Sequence, residues 1–180
     1  MHYMHDEALL VLPELLDRLE IEEPVLFGHS DGASIALIHA GVSRRPLAGV
    51  VEMAPHVMVE ELSVASIGKA RTAYLTTDLR SRLMRYHQDV DGPFWGWNDI
   101  WLSEEFRTWT IEEYLPNITC PILAIQGAND EYGTMEQMTC IARRARIVSV
   151  VEAPRSGHSP HRDQPALVLA EVRDWISVLR

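Results

Sequence analysis

Pro24-Val25-Leu26-Phe27-Gly28-His29-Ser30-Asp31-Gly32-Ala33 is the stretch on which the reading of the fold turns. Its first part is a short, unbroken apolar run, which suits a strand buried on both faces of a parallel sheet. From Asp31 to about Ser43 the residues are rich in Ala, Ile and Leu and read as a helix. Between the two lies Gly28-His29-Ser30-Asp31-Gly32, which fits G-x-S-x-G. A sharp strand-to-helix turn leaves no room for side chains two positions either side of its apex, so both glycines are expected on steric grounds and Ser30 is forced outward. The following helix aims its N-terminus at the same spot. The backbone N–H of Asp31 is therefore the expected oxyanion donor, with the Asp31 carboxylate turned away. The bland alternative is a plain glycine-rich turn with an unreactive serine.

Working outward, Leu9, Leu12, Leu16 and Leu19 recur at helical spacing and predict one apolar stripe on a helix over about Asp6 to Glu20, with Pro13 as a potential kink. Leu47 to Met53 reads as a second buried strand. Residues 55 to 118 are richer in charge, contain no β-like run and hold four of the five tryptophans; Glu60 to Tyr74 and Leu79 to His87 read as helices. After Pro121 the first pattern resumes: strand Ile122 to Gln126, helix Thr134 to Ala145, strand Ile147 to Val151, helix Pro165 to Leu179. Strands alternating with helices predict an α/β fold, a parallel sheet flanked by helices, interrupted by a helical insertion. The expected division is 1–54 for the first part of the core, 55–118 for the insertion and 119–180 for the rest.

Ligand sites in such sheets lie beyond the carboxyl ends of the strands. Two further stretches fall there. Gly127-Ala128-Asn129-Asp130-Glu131 follows the third strand and offers Asp130, with Glu131 as a weaker rival. Ser156-Gly157-His158-Ser159-Pro160-His161 follows the fourth and offers His158, with His161 competing. A nucleophilic serine needs a histidine to take its proton, and the histidine needs a carboxylate to fix its tautomer. Taken alone, Asp130 reads as an ordinary turn aspartate. The order Ser30, Asp130, His158 joins the three into a candidate catalytic triad. A metal half-site at His158, His161 and Asp163, or at His2 and His5, is a weak reading of H-x-x-H, and no metal or other cofactor is expected.

Composition narrows the partners. The chain has 180 residues, 47% hydrophobic and 23% charged, as expected of an ordinary globular domain. With 16 basic and 26 acidic residues its net charge is −10, which repels phosphate backbones and gives no attraction to an anionic membrane. Neither nucleic acid nor membrane is an expected partner; a small-molecule substrate is. Cys120 and Cys140 read as buried small hydrophobes. The first residues show no signal-peptide pattern, and a cytoplasmic location is the expectation.

With these motifs in place, the sequence resembles the α/β-hydrolase superfamily, of the lid-bearing serine esterase and C–C bond hydrolase type. VLFGHSDGA resembles the strand, elbow and helix around the nucleophile, CPILAIQGANDEYG the strand and loop of the acid, and SGHSPHRDQP the histidine loop. The resemblance implies Ser30 as nucleophile, Asp130 as acid, His158 as base, and a helical lid over residues 55–118. It implies cleavage of an ester or related acyl bond through an acyl-enzyme, or alternatively hydrolytic C–C cleavage of a ring-fission product. Dehalogenation is disfavoured, because it needs a carboxylate at the position of Ser30. Phe94, Trp95, Trp97, Trp101, Phe106 and Trp109 lie within 16 residues of the lid segment. Trp95, Trp97 and Trp101 are the expected substrate contacts, for an apolar or aromatic acyl part. The family also carries four strands before the nucleophile strand, and an HG-type loop supplying a second oxyanion donor. Neither is in this sequence. A fragment of a longer protein, a mis-called start or a broken, catalytically incomplete remnant is therefore expected, with self-association through the exposed apolar edge at Pro24 to Phe27.

Overall fold

A computed structural model describes residues 2–179. In chain order the elements are α1 (Tyr3–Asp6), a π-helical segment (Glu7–Val11), α2 (Leu12–Arg18), β1 (Val25–His29), α3 (Asp31–Val42) and β2 (Gly49–Met53). Then come α4 (Glu61–Thr76), α5 (Leu79–Leu83) and α6 (Asp91–Trp101), with two 3-10 turns at Glu104–Thr108 and Leu115–Asn117. The chain closes with β3 (Ile122–Gly127), α7 (Met135–Arg144), β4 (Val148–Ala153), α8 (Pro160–Asp163) and α9 (Pro165–Ile176). Two compact units emerge: Val59–Trp109, and His2–Met58 together with the chain from Thr110 onward.

The larger unit is built on one parallel sheet in the order β1-β2-β3-β4, with Val25 opposite Gly49, Val50 opposite Ile122 and Ile122 opposite Val148. Alternation along the strands feeds two cores. Val51, Met53, Leu123, Ile125 and Ala153 face α9, where Val168, Leu167, Val172 and Trp175 cover them. Each fully buried aliphatic side chain there contributes roughly 1.5–3 kcal/mol. Gly49 has a packing reason: a Cβ there would lie 2.4 Å from the Trp175 ring. The other face carries Leu26, Gly28, Val50, Glu52, Ala124 and Gln126. At Gly28 a Cβ would sit 2.4 Å from the Gly32 carbonyl and 2.5 Å from Ala33 Cα, so α3 crosses β1 with nothing between. Gly32 differs from expectation, since a Cβ there would meet nothing within 4 Å. Only one of the two motif glycines is sterically required.

The first helical stretch departs from its predicted stripe. Met4, Ala8 and Leu16 are buried, while Leu9 is 39% and Leu19 58% exposed. The π-helical segment Glu7–Val11 explains the rotation, because its wider turn shifts the residues that follow around the axis. Pro13 lies two residues past the π-helical segment in a continuous helical run, and its ring has no N–H to give to the preceding turn. The buried His39 ring bonds the Ala8 carbonyl at 2.8 Å through Nδ1.

The smaller unit is helical. Tyr74 of α4 and Arg80 of α5 both donate to Asp91 of α6, at 2.6 Å and 2.5–2.9 Å. Helix α6 escaped the sequence reading because it contains Gly92, Pro93 and Gly96. Pro93 lies in the first turn, where N–H groups have no intrahelical acceptor, so the helix tolerates it. Cys120 and Cys140 are buried, and burial raises both thiol pKa values. No helix among the described residues is long and apolar enough to cross a membrane.

Candidate active site

Ser30 is the N-cap of α3 and has φ 55° and ψ −126°, a backbone that non-glycine residues rarely adopt. The strain is held from both sides. Ser30 N–H donates to the Met53 carbonyl at 2.9 Å, and the Ser30 carbonyl accepts from Ala33 and Ser34 at 2.9 and 3.2 Å. The elbow is thus locked to β2 below and to its own helix above. Asp31 is the first residue of that helix, and its Oδ2 accepts the Tyr3 hydroxyl at 2.5 Å.

Asp130 sits three residues beyond β3. Its carboxylate accepts from the Gln126 amide at 2.8 Å and from the backbone N–H groups of Tyr132 and Gly133 at 2.8 and 3.3 Å. These bonds fix both oxygens of a side chain that is only 1% exposed. The remaining approach belongs to His158, whose Nδ1 lies 3.0 and 2.9 Å from Oδ1 and Oδ2. An ionised carboxylate only accepts, so Nδ1 carries the proton and Nε2 is left as an acceptor. Nε2 lies 2.9 Å from Ser30 Oγ. Ser30, His158 and Asp130 therefore stand in one hydrogen-bonded line, assembled from the carboxyl ends of β1, β3 and β4.

The rivals lie elsewhere. Glu131 Oε2 accepts the backbone N–H of His158 at 3.2 Å. His161 packs its ring 5.0 Å from that of His29. Asp163 Oδ2 accepts from Gly157 N–H at 2.8 Å and closes the histidine loop. Among the described residues no three His, Cys, Asp or Glu side chains gather as a metal site. Gly127 lets the two loops meet: a Cβ there would fall 2.1 Å from the Gly157 carbonyl oxygen.

Sequence reasoning missed Gln126, the polar residue closing a buried apolar strand, and His29, the variable position of the G-x-S-x-G string. It also passed over Glu52. That side chain is 0% exposed, with neither oxygen hydrogen-bonded, and burial holds its carboxyl pKa well above the usual range. Of the aromatic candidates, Trp101 is 1% exposed and packs against Phe106 and Trp109 at 5.0 and 6.0 Å. Trp95 meets Phe94 and Tyr74 edge-on, with Arg71 over its ring. Trp97 lines a groove of about 210 Å³ with Leu83, Val90, Pro93 and Phe94.

The comparisons agree with this fold. The chain matches the alpha/beta hydrolase family over residues 2–172 and belongs to it. Among solved structures it is similar to a thermophilic esterase from Thermogutta terrifontis, at 22% identity and TM-score 0.67, covering 93% of this chain and 70% of that one. A proline iminopeptidase from Mycobacterium smegmatis is similar at 16% identity and TM-score 0.66, covering 93% and 69%. So is a meta-cleavage product hydrolase from Pseudomonas fluorescens, at 16% identity and TM-score 0.71, covering 92% and 69%. At such identities the likeness is one of fold. Among curated proteins none matches the chain.

Proposed function

We propose that this hydrolase cleaves an ester or related acyl bond of a small, apolar or aromatic substrate through an acyl-enzyme. The observation that carries the reading is the line Ser30 Oγ, His158 Nε2 at 2.9 Å, His158 Nδ1, Asp130 Oδ2 at 2.9 Å. Ser30 Oγ attacks the carbonyl carbon while its proton passes to Nε2. The Asp130 carboxylate, held by the Gln126 amide and the Tyr132 and Gly133 N–H groups, stabilises the imidazolium. The backbone N–H of Asp31 faces the oxygen on which charge develops, a contact worth a factor of about 10²–10³ in rate. Collapse of the tetrahedral species expels the leaving group, which takes the proton from Nε2. Water then attacks the acyl carbon with His158 as base, and Ser30 is regenerated.

Trp95 and Trp97 are the proposed recognition residues for the acyl part, a reading supported by the apolar groove that Trp97 lines within its own unit. Hydrolytic C–C cleavage uses the same three residues, and the likeness to a meta-cleavage product hydrolase keeps it as the second reading. The outer edge of β1 is the proposed contact between two copies of the chain.

The test is labelling with a fluorophosphonate, followed by turnover of p-nitrophenyl esters and of a ring-fission product. Wild type is expected to label at Ser30, and Ser30→Ala to keep its fold while losing both labelling and turnover. A labelled Ser30→Ala variant would put the nucleophile elsewhere; an unlabelled wild type would mark the chain as catalytically incomplete. Trp97→Ala and Trp95→Ala should lose more activity on aromatic than on short aliphatic esters. Equal losses in step with lost stability would make both rings scaffolding.

A further inference from the structure

The His158 backbone is gripped at both ends by side chains. Its N–H donates to Glu131 Oε2 at 3.2 Å, and its carbonyl lies 2.7 Å from His29 Nε2. A carbonyl only accepts, so His29 Nε2 carries a proton and donates it. Each gripping residue is a chain neighbour of a triad residue: Glu131 follows Asp130, and His29 precedes Ser30. Any movement of the elbow or of the acid loop is thus transmitted to the histidine between them. The His29 bond is the shorter of the two and spans 129 residues of sequence.

We propose that His29 is a positioning residue: its Nε2–H anchors the His158 carbonyl to the elbow, so that the imidazole stays in line with Ser30 Oγ. This rests on the triad reading above. Strand β1 ends at His29, and the next residue turns through the strained φ of 55°. The anchor and the nucleophile are therefore successive residues of one rigid segment, and the distance between His158 and Ser30 is fixed through a few bonds rather than across the whole sheet. The environment of His29 suits this role. Burial lowers its pKa, against the raising effect of the His158 carbonyl bond, and the rings of His158 and His161 lie 5.1 and 5.0 Å away. A neutral His29 donates the bond without opposing the positive charge that His158 must carry in the transition state.

The experiment compares wild type with His29→Gln, His29→Asn and His29→Phe. The glutamine amide reaches about as far as Nε2, and the asparagine amide stops short of it. Reactive serine is first counted with a fluorophosphonate, and kcat and KM for a p-nitrophenyl ester are then expressed per titrated serine. His29→Asn and His29→Phe should lose about 10- to 100-fold in kcat with KM little changed, since an error of about 1 Å in placement costs up to that much. His29→Gln should recover most of the loss. Should the phenylalanine variant fail to fold, the glutamine and asparagine pair decides alone. Equal kcat per titrated serine in those two, or full activity per titrated serine in His29→Asn, overturns the anchor while leaving the triad standing. An unlabelled wild type overturns the triad, and the anchor with it.

Discussion

Glycine contacts divide the loops of this site into those that must touch and those that need not. Gly127 meets the Gly157 carbonyl at 2.1 Å and that of Ser156 at 2.5 Å once a Cβ is added, and backbone cannot yield as a flexible side chain can. Gly127→Ala is expected to cost about 1–3 kcal/mol by overpacking, and kcat about 100-fold as the histidine loop is pushed from Asp130. Gly32 is the control. It is helical and open, so Gly32→Ala should raise stability by about 0.5–1 kcal/mol. Urea denaturation of the two variants beside wild type reads both signs; equal destabilisation would contradict the packing described for the two loops. The serine, aspartate and histidine were legible because each follows an apolar run and a turn, which are local patterns. Gln126, Tyr132 and His29 were not, since their roles depend on atoms brought together by distant parts of the chain.

Strand β2 carries an unusual burden for its length. Val50, Val51 and Met53 are buried as the apolar run demands, yet Glu52 is buried among them with no hydrogen-bond partner. Burial penalises its charged form, so the folded carboxyl pKa lies above the ordinary value of 4.5. The sign of the consequence is fixed. Below pH 4.5 the acid is protonated in both folded and unfolded chains, and no penalty arises. As pH rises further the unfolded chain ionises while the folded one holds its proton, and stability falls by up to about 1.4 kcal/mol per pH unit until the folded group itself ionises. Glu52→Gln removes that titration. The gap in thermal midpoint between Glu52→Gln and wild type should widen from pH 5 to pH 7.5, and a gap that stays constant would contradict a protonated Glu52. The first helix shows the other way an element escapes sequence reading. Its leucines repeat at helical spacing, but in a run interrupted by the π-helical segment the buried positions are Met4, Ala8 and Leu16, and Leu9 lies outward.

At the scale of the whole molecule, the sheet order β1-β2-β3-β4 leaves β1 paired on one side only among the described residues. Phe27 is 54% exposed on the strand itself, and the first helical run adds Leu10 and Leu15, 65% and 49% exposed. Unpaired strand edges with such flanks recruit another chain. Light scattering should find a mass that grows with concentration in wild type, and Phe27→Lys should hold the chain nearer the monomer. A concentration-independent monomer in wild type would remove the proposed contact. By itself the sequence determined the class of fold and the order of the three site residues, because buried strands, amphipathic helices and glycine turns are written in short windows of residue type. It could not determine that Ser30 and His158, 128 residues apart, meet at 2.9 Å, that Glu131 accepts the backbone N–H of His158, or that His29 binds the histidine loop. Those outcomes depend on the register of parallel strands and on how closely two loops approach, which are properties of the packed chain and of no single segment of it.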